Sequence, residues 1–242
     1  MVKISVIIPT LNEEKLLEKT LSQFTDEIKN KFRIEIIVTD GGSTDKTLSI
    51  AKKYSANVVE NSSHLKQNIS IGRNCGAEKA SGAILVFLNA DTQIQNVELF
   101  FSEMQTTLQK ENVVGMTSFV RVNQEEEIFS DKLFHTFFNY YFWFLNVIGI
   151  GMGRGECHIL SKKMFEELGG YNEEFAAGED FDLFARLRKK GKIRFLKSSL
   201  IYESPRRYRK FGYGKILALW FRNAFSVLFL KKSHSKEWEV IR

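Results

Sequence analysis

Short runs of apolar and β-branched residues alternate with helically spaced apolar residues through the first half of the chain. This alternation is typical of βαβ units and predicts a largely parallel sheet covered by helices. Because each predicted strand ends in polar residues, the ligand site is expected at the carboxyl edge of the sheet. The predicted strands are Val2–Pro9, Ile34–Thr39, Asn57–Glu60 and Ala83–Leu88, and the predicted helices are Glu13–Ile28, Thr44–Tyr54 and Ser70–Ala80.

The second half has a different pattern. Strands are predicted at Val113–Val120 and Lys192–Tyr202, and an amphipathic helix at Gly214–Leu230. Between them, residues 133–152 contain no Asp, Glu, Lys or Arg and carry eight aromatic residues. That length could just span a bilayer. Since aromatic residues favour membrane interfaces over the hydrocarbon centre, a buried or interfacial helix is predicted instead.

The composition is that of an ordinary folded protein, with 242 residues, 43% hydrophobic and 26% charged, which excludes disorder and collagen-like repeats. Two cysteines, Cys75 and Cys157, are too few for a disulfide framework, and no Cys/His cluster suggests structural zinc. The opening segment breaks at Pro9 and lacks the features of a secretory signal. A cytoplasmic location is therefore expected.

The formal net charge of +6 conceals a strong asymmetry. Residues 1–185 carry a net charge of −8, whereas residues 186–242 carry +14. Such a basic segment implies an anionic partner, which can be a nucleic acid, a phosphorylated substrate or an anionic membrane surface. No nucleic-acid recognition motif accompanies the charge, so nucleic acid is not the expected partner.

Two polar motifs follow neighbouring predicted strands. Ile8–Glu14 is typical of a strand-to-helix turn whose backbone amides can also contact a nucleotide. Thr39–Thr47 contains Asp40 followed by two glycines, which let the backbone approach a ligand while the carboxylate accepts a hydrogen bond. A plain turn would explain either motif alone. The second one does not have the arrangement of a phosphate-binding Walker A loop.

A third motif, Asn89-Ala90-Asp91, ends the strand predicted at Ala83–Leu88. Its two oxygen-bearing side chains can point at one hard divalent cation together with substrate phosphates, although an Asx-turn would also explain them. Arg73, in the preceding helix, can pair with an acid or reach a phosphate. The stretch Gly149–Gly155 superficially suggests a dinucleotide loop but does not follow a first strand.

Taken together, these residues resemble the family 2 glycosyltransferases, which have the GT-A fold. The resemblance implies a single Rossmann-like, mostly parallel twisted sheet flanked by helices, here followed by an amphipathic helical tail. It covers roughly residues 2–205. The motifs that carry it, in family order, are VIIPTLNEE (Val6 to Glu14), TDGGSTDKT (Thr39 to Thr47), GRNCGAEKASG (Gly72 to Gly82), FLNADT (Phe87 to Thr92) and LGGYNEEFAAGEDFDLFARL (Leu168 to Leu187).

By this resemblance the protein would transfer a sugar from a nucleoside-diphosphate sugar with inversion, using Mg²⁺ or Mn²⁺. Asp91 would hold the metal through the diphosphate. The family usually has two acids in this motif, whereas the first position here is Asn89, so the negative charge falls on Asp91 alone. The residues implied for the nucleotide-sugar are Pro9, Thr10, Glu13, Asp40, Gly42, Ser43, Arg73, Asn89, Ala90, Asp91, Arg206 and Arg207.

The resemblance assigns catalysis to the pair Glu179-Asp180, with Asp180 as the general base beside the acceptor hydroxyl. It also implies that the glycines of Gly149–Gly155 let an acceptor approach the backbone. The alternative explanation is a pair of first-turn acids favoured by the helix dipole. The basic run Ser204–Gly212 is similar to one in a bacterial and archaeal subgroup of the family. Its arginines, Arg206 or Arg207, are suited to cover the departing diphosphate.

The expected organisation is a GT-A domain over residues 1–210, with a nucleotide-binding half (1–95) and an acceptor-binding half (96–210). Residues 211–242 would form a basic amphipathic tail that contacts an anionic membrane peripherally on its cytoplasmic face. The acceptor is expected to be an unidentified hydroxyl compound, and a lipid-linked acceptor is one possibility. Such a reaction would belong to glycolipid or cell-surface polysaccharide synthesis. The protein could also form a homo-oligomer. A nucleotidyltransferase of related fold and a non-catalytic membrane- or anion-binding module are the alternatives.

Overall fold

The computed structural model describes residues 2–60, 68–175 and 177–226 and shows an α/β protein built on one eight-stranded sheet. The strands are β1 Ile4–Thr10, β2 Ile34–Asp40, β3 Asn57–Glu60, β4 Ile84–Leu88, β5 Gln93–Ile94, β6 Val113–Val122, β7 Cys157–Ser161 and β8 Lys192–Glu203. The helices are α1 Leu17–Ser22, α2 Asp26–Phe32, α3 Thr47–Lys53, α4 Ile69–Lys79, α5 Val97–Leu108, α6 Phe129–Val147, α7 Lys162–Glu167, α8 Glu179–Arg188, α9 Arg206–Phe211 and α10 Tyr213–Phe225.

The sheet is mixed, with the strand order β3-β2-β1-β4-β7-β6-β8-β5. The pairs β1–β2, β1–β4, β2–β3 and β6–β8 are parallel, whereas β4–β7, β6–β7 and β5–β8 are antiparallel. Since β1 lies between β2 and β4, the polar residues that follow these three strands meet at one edge. Thr10 is directly opposite Asp40 across the first parallel pair.

Both faces of the sheet are buried, as the near-continuous apolar strands require. On β1, Ile4, Val6 and Ile8 pack into one hydrophobic cluster with α1, α2 and α5, while Ile7 packs into another with α4, α7 and α8. A third cluster joins inward residues of α6 to Tyr208 and Ile216 in α9 and α10. The second half of the sheet is therefore covered by a mainly aromatic layer.

The early strands confirm the α/β prediction, but the predicted helix Glu13–Ile28 is two helices. The first ends at Ser22, and Thr25 caps the second by accepting a hydrogen bond from the backbone N–H of Ile28 at 3.3 Å. Helical spacing continues across this break because both helices face the same cluster, so periodicity alone could not locate it. The antiparallel strand β7 and helix α5 were not predicted.

The aromatic stretch 133–152 lies mostly in α6, a helix with one buried and one exposed face. Within the described ranges, no helix is long and apolar enough to cross a membrane. The late helix predicted over Gly214–Leu230 is present as α10. The rest of that prediction, from residue 227 onward, lies outside the described residues.

Candidate active site

A cavity of about 660 Å³ opens at the carboxyl edge of β1, β2 and β4, a volume typical of small-ligand sites. Its wall brings together residues that are far apart in the sequence. The predicted residues among its lining are Pro9, Thr10, Glu13, Arg73, Asn89, Ala90, Asp91, Glu179, Asp180, Arg206 and Arg207.

Asp40 is buried behind this wall and organises the loop that follows β2. Its Oδ2 accepts hydrogen bonds from the backbone N–H groups of Gly42 and Ser43 at 2.9 and 2.7 Å. Its Oδ1 accepts from the hydroxyls of Thr10, at 3.1 Å, and Ser43. The structure places Gly41 in the cavity wall, whereas Asp40, Gly42 and Ser43 are not part of that lining, so direct contact of these three with a nucleotide stays a prediction.

Arg73 is fully buried and connects three parts of the site. Its Nη1 donates to Glu179 Oε1 at 2.9 Å, and its Nη2 donates to Asn89 Oδ1 at 3.1 Å and to the carbonyl oxygen of Gly155 at 2.6 Å. The guanidinium also lies over the Tyr171 ring, 5.2 Å from its centroid. Of the two roles predicted for Arg73, the structure shows acid pairing. A second hydrogen bond, from Arg73 Nη2, occupies the side-chain oxygen of Asn89.

The acidic pair begins α8, directly after Gly178, whose φ of +86° is a conformation that glycine adopts without strain. Glu179 is buried against Arg73, while Asp180 is partly buried and lies in the cavity wall. Burial and the neighbouring Glu179 carboxylate raise the pKa of Asp180, and Arg73 opposes this effect. A carboxyl group with a raised pKa beside a cavity is suited to proton transfer.

Arg206, the first residue of α9, contacts two acidic side chains of the cavity wall, Glu13 and Asp91. Its Nη2 lies 2.7 Å from Glu13 Oε1 and 3.3 Å from Asp91 Oδ2. Burial raises the pKa values of both carboxyl groups, and the Arg206 charge opposes that rise. Glu13 Oε2 is buried without a hydrogen-bond partner in the described part of the chain. One guanidinium therefore serves two carboxylates here.

The cavity wall also contains charged residues that the sequence reasoning missed. Arg154 is almost completely buried, with its Nε donating to Glu156 Oε2 at 3.2 Å and its Nη2 lying 3.5 Å from Glu203 Oε1. His135 Nδ1 lies 3.4 Å from the same Nη2, and burial lowers the pKa of this histidine to about 3. Trp220 of α10 adds an aromatic wall. No local motif predicts this cluster, because its members come from α6, β8, α10 and the loop before β7.

Packing explains part of the neighbouring glycine-rich stretch, Gly149–Gly155. A Cβ atom on Gly151 would lie 1.9 Å from the carbonyl oxygen of Phe184, so this glycine is required by the close approach of α8. Gly153 and Gly155 do line the cavity. That an acceptor lies near Gly153 and Gly155 therefore stays a prediction. No acceptor is needed to explain the glycine at position 151.

The donor set at Asp91 is compatible with a divalent cation that a nucleotide brings with it. Mg²⁺ is often held by one or two carboxylates together with substrate phosphates. Arg206 contacts both Asp91 and Glu13, and Glu13 Oε2 is a buried carboxylate oxygen without a hydrogen-bond partner in the described part of the chain, which a cation would satisfy. Among the described residues there is no cluster of three acidic, His or Cys side chains that would hold a metal unaided.

The sheet and the cavity at its polar edge are those of the GT-A class of transferases, and solved structures confirm the fold. The mannosyltransferase from Pyrobaculum calidifontis, in complex with GDP-Man and Mn²⁺, has a TM-score of 0.68 at 19% identity, covering 91% of this chain and 64% of that one. The family model described as glycosyl transferase family 2 matches residues 5–169. The chain belongs to this family.

Two relatives show how far the similarity extends. Glycosyltransferase AglE of Haloferax volcanii is 39% identical over 92 residues, which cover 36% of this chain and 30% of that protein. The GalNAc(5)-diNAcBac-PP-undecaprenol beta-1,3-glucosyltransferase of Campylobacter jejuni is 29% identical over 239 residues, covering 94% of this chain and 71% of that protein. The chain thus matches less than a third of the first relative's length and most of the second.

Proposed function

We propose that the protein transfers a sugar, with inversion, from a nucleoside-diphosphate sugar to a hydroxyl acceptor. The observation that carries this proposal is the position of Asp180 in the wall of the same cavity as Asp91, Arg206 and Arg207. A candidate base and candidate diphosphate-binding groups therefore face one space. Family membership supports the reaction class.

The donor nucleotide is assigned to the edge formed by β1, β2 and β4, within the half comprising residues 1–95. Pro9, Thr10 and Glu13 line the cavity there, and Asp40 holds the adjoining loop by accepting two backbone hydrogen bonds. Residues 96–210 supply the other walls, including Asp180. This division into a nucleotide-binding half and an acceptor-binding half is part of the proposal.

In the proposed reaction, Asp180 accepts the proton of the acceptor hydroxyl as that oxygen bonds to the anomeric carbon of the donor. The bond from this carbon to the diphosphate oxygen breaks, and its electron pair leaves with the nucleoside diphosphate. Arg206 and Arg207 stabilise the resulting negative charge. Glu179 acts as a positioning residue, because its carboxylate is held by Arg73.

Asp91 is assigned to a Mg²⁺ or Mn²⁺ ion that is also bound by the diphosphate. Such an ion supplies neutralisation of the charge on the leaving group. Arg206 already contacts Asp91 in the structure, so this arginine and the bound cation would act on the same end of the cavity. Asn89 is assigned no metal contact, because its side-chain oxygen accepts from Arg73.

A lipid-linked acceptor is proposed from the Campylobacter jejuni relative, whose name specifies a PP-undecaprenol-linked substrate. The basic segment 211–242 is proposed to contact an anionic membrane peripherally. Its described part, α10, carries exposed Lys215 and Arg222. The cytoplasmic location is likewise part of the proposal.

The function is tested with a panel of nucleotide-sugars, scored for thermal stabilisation and for hydrolysis with and without Mn²⁺. A matching donor is expected to raise Tm in the presence of Mn²⁺, since a ligand that binds the folded state stabilises it. Asp91→Asn should remove most of the Mn²⁺-dependent increase in Tm, because it removes the proposed anionic ligand of the metal. Glu98→Gln, at an exposed acid remote from the cavity, is the matched control. Absence of any donor response, or consumption of a nucleoside triphosphate with pyrophosphate release, would contradict the proposal.

The pH dependence of turnover is a second test. Burial and the adjacent Glu179 carboxylate raise the pKa of Asp180 to about 8. The base is protonated and inactive below this pKa, so kcat/KM should rise with pH by about tenfold per unit on the acidic limb. Glu179→Gln removes the like charge and should move the limb to lower pH, whereas Glu166→Gln, at an exposed acid, should leave it in place. A flat profile across neutral pH would exclude Asp180 as the titrating base.

A further inference from the structure

Helix α6 has a continuous apolar face that points to solvent. We call it the α6 stripe and define it as Phe129, Leu133, Phe137, Tyr140, Phe144 and Val147. These residues are separated by three or four positions and therefore share one side of the helix. Phe129 is 81% exposed, and the other five are between 51% and 64% exposed. Trp143, Ile148 and Ile150 extend the apolar surface at the C-terminal end.

The stripe is additional to the face that packs on the protein. Phe134, Phe138, Phe142 and Leu145 form the buried side of the same helix and belong to the third hydrophobic cluster. A surface helix of a globular protein ordinarily has polar residues opposite its buried face. A contiguous exposed patch of this kind marks an interaction surface.

The charges around the stripe point to an anionic lipid surface as its partner. The exposed residues of α6 include Lys132 and no acid. Lys197 Nζ lies 5.2 Å from the centroid of the Trp143 ring, which gives the aromatic surface a cationic border. On α10, Phe221 and Phe225 are exposed beside Arg222. A second copy would bring the same positive charges together, whereas anionic headgroups would neutralise them.

We propose that the α6 stripe docks on an anionic membrane, with its aromatic rings at the level of the headgroups and the nearby Lys132 and Lys197 toward the phosphates. Large aromatic residues with adjacent Lys or Arg are typical of interfacial helices. Exposed Glu125 and Glu126 precede the helix. The C-terminal part of the stripe, from Phe137 to Val147, is therefore the part expected to insert most deeply.

This docking would orient the cavity as well. The buried side of α6 contributes Phe142 to the cavity wall, and α10 contributes Trp220 and Asn223. Trp220 packs edge-on against Phe138, with ring centroids 5.5 Å apart, so the two helices form one wall. Docking through the outer side of this wall places that end of the cavity next to the lipid. This step rests on the proposed function, since it concerns how a lipid-linked acceptor reaches Asp180.

The test is co-sedimentation with phosphatidylcholine vesicles that contain or lack phosphatidylglycerol. The wild-type chain is expected to pellet with the anionic vesicles and much less with phosphatidylcholine alone. Phe137→Glu combined with Phe144→Glu should lower the partition coefficient roughly tenfold or more, because it replaces two inserted rings with charges. Thr106→Glu combined with Gln109→Glu adds the same charge at two exposed positions, one in α5 and one directly after it, on the opposite face of the sheet, and should pellet like the wild type.

Several outcomes would overturn the docking proposal. They are a wild-type chain that fails to pellet, equal binding to both vesicle types, and a stripe variant that pellets as the wild type does. A wild-type dimer in sedimentation velocity that the stripe substitutions dissociate, without vesicle binding, would assign the stripe to a second copy. Thermal stabilisation by nucleoside diphosphates with Mn²⁺ is measured on the same variants and should be unchanged. If no nucleotide stabilises even the wild type while vesicle binding follows the stripe, the proposed function fails and the docking surface stands.

Discussion

Asp180→Asn is expected to lower kcat for sugar transfer by about 10²- to 10⁴-fold, the usual contribution of a positioned general base. The amide keeps the shape of the side chain and cannot accept the acceptor's proton. Affinity for the nucleoside diphosphate should stay within about twofold of wild type, because the proposed diphosphate contacts come from Arg206, Arg207 and the cation that Asp91 would hold. The measurements are steady-state kinetics with the donor found in the nucleotide-sugar panel and titration with the nucleoside diphosphate.

The matched control is Asp182→Asn, two residues further along α8. Asp182 forms a 2.6 Å ion pair with Arg186 and is absent from the cavity lining, so this variant should keep turnover near the wild-type value. A wild-type kcat in Asp180→Asn would disprove the base assignment. Equal losses in both variants would show that a change in α8, and not a missing base, had been measured.

The carboxyl edge of the sheet was predictable because the strands of the first half, and the polar residues that follow them, can be recognised from local patterns. The strands β2, β1 and β4 are neighbours in the sheet and each is followed by polar residues. Their parallel pairing brings Thr10, Asp40 and Asp91 to one side of the molecule. The resemblance to the family then assigned a distant acid pair to the same site. The structure places Asp180 in the wall of that cavity, although the sequence separates it from Thr10 by most of the domain.

The part of the cavity wall formed by Arg154, Glu156 and Glu203 could not be anticipated in this way. Arg154 lies 3.5 Å from Glu203, which is 49 positions further along the chain, and His135 joins them from helix α6. In sequence each looks like an ordinary polar residue in an apolar region, because antiparallel β7 and the packing of α6 bring them together. The break between α1 and α2 was missed for a related reason, since tertiary burial preserves helical spacing on both sides of it.

Arg73→Met is expected to destabilise the fold by about 3–5 kcal/mol, the cost of breaking a buried ion pair from one side. It would leave Glu179 as a buried charge without its 2.9 Å partner, and it would remove the donor to Asn89 and to the Gly155 carbonyl. Urea unfolding followed by circular dichroism measures the change. Lys79→Met, at an exposed position of the same helix, should change stability by less than about 0.5 kcal/mol.

Combining Arg73→Met with Glu179→Gln distinguishes a missing charge partner from a simple packing defect. If an uncompensated Glu179 carboxylate causes most of the loss, neutralising it should recover part of the free energy of unfolding, and the double variant should be more stable than the sum of the single effects predicts. Strict additivity, within about 0.5 kcal/mol, would contradict this electrostatic account. A favourable coupling would show that the arginine in α4 stabilises the acid next to Asp180, so that the surroundings of the proposed base depend on a residue outside its own helix.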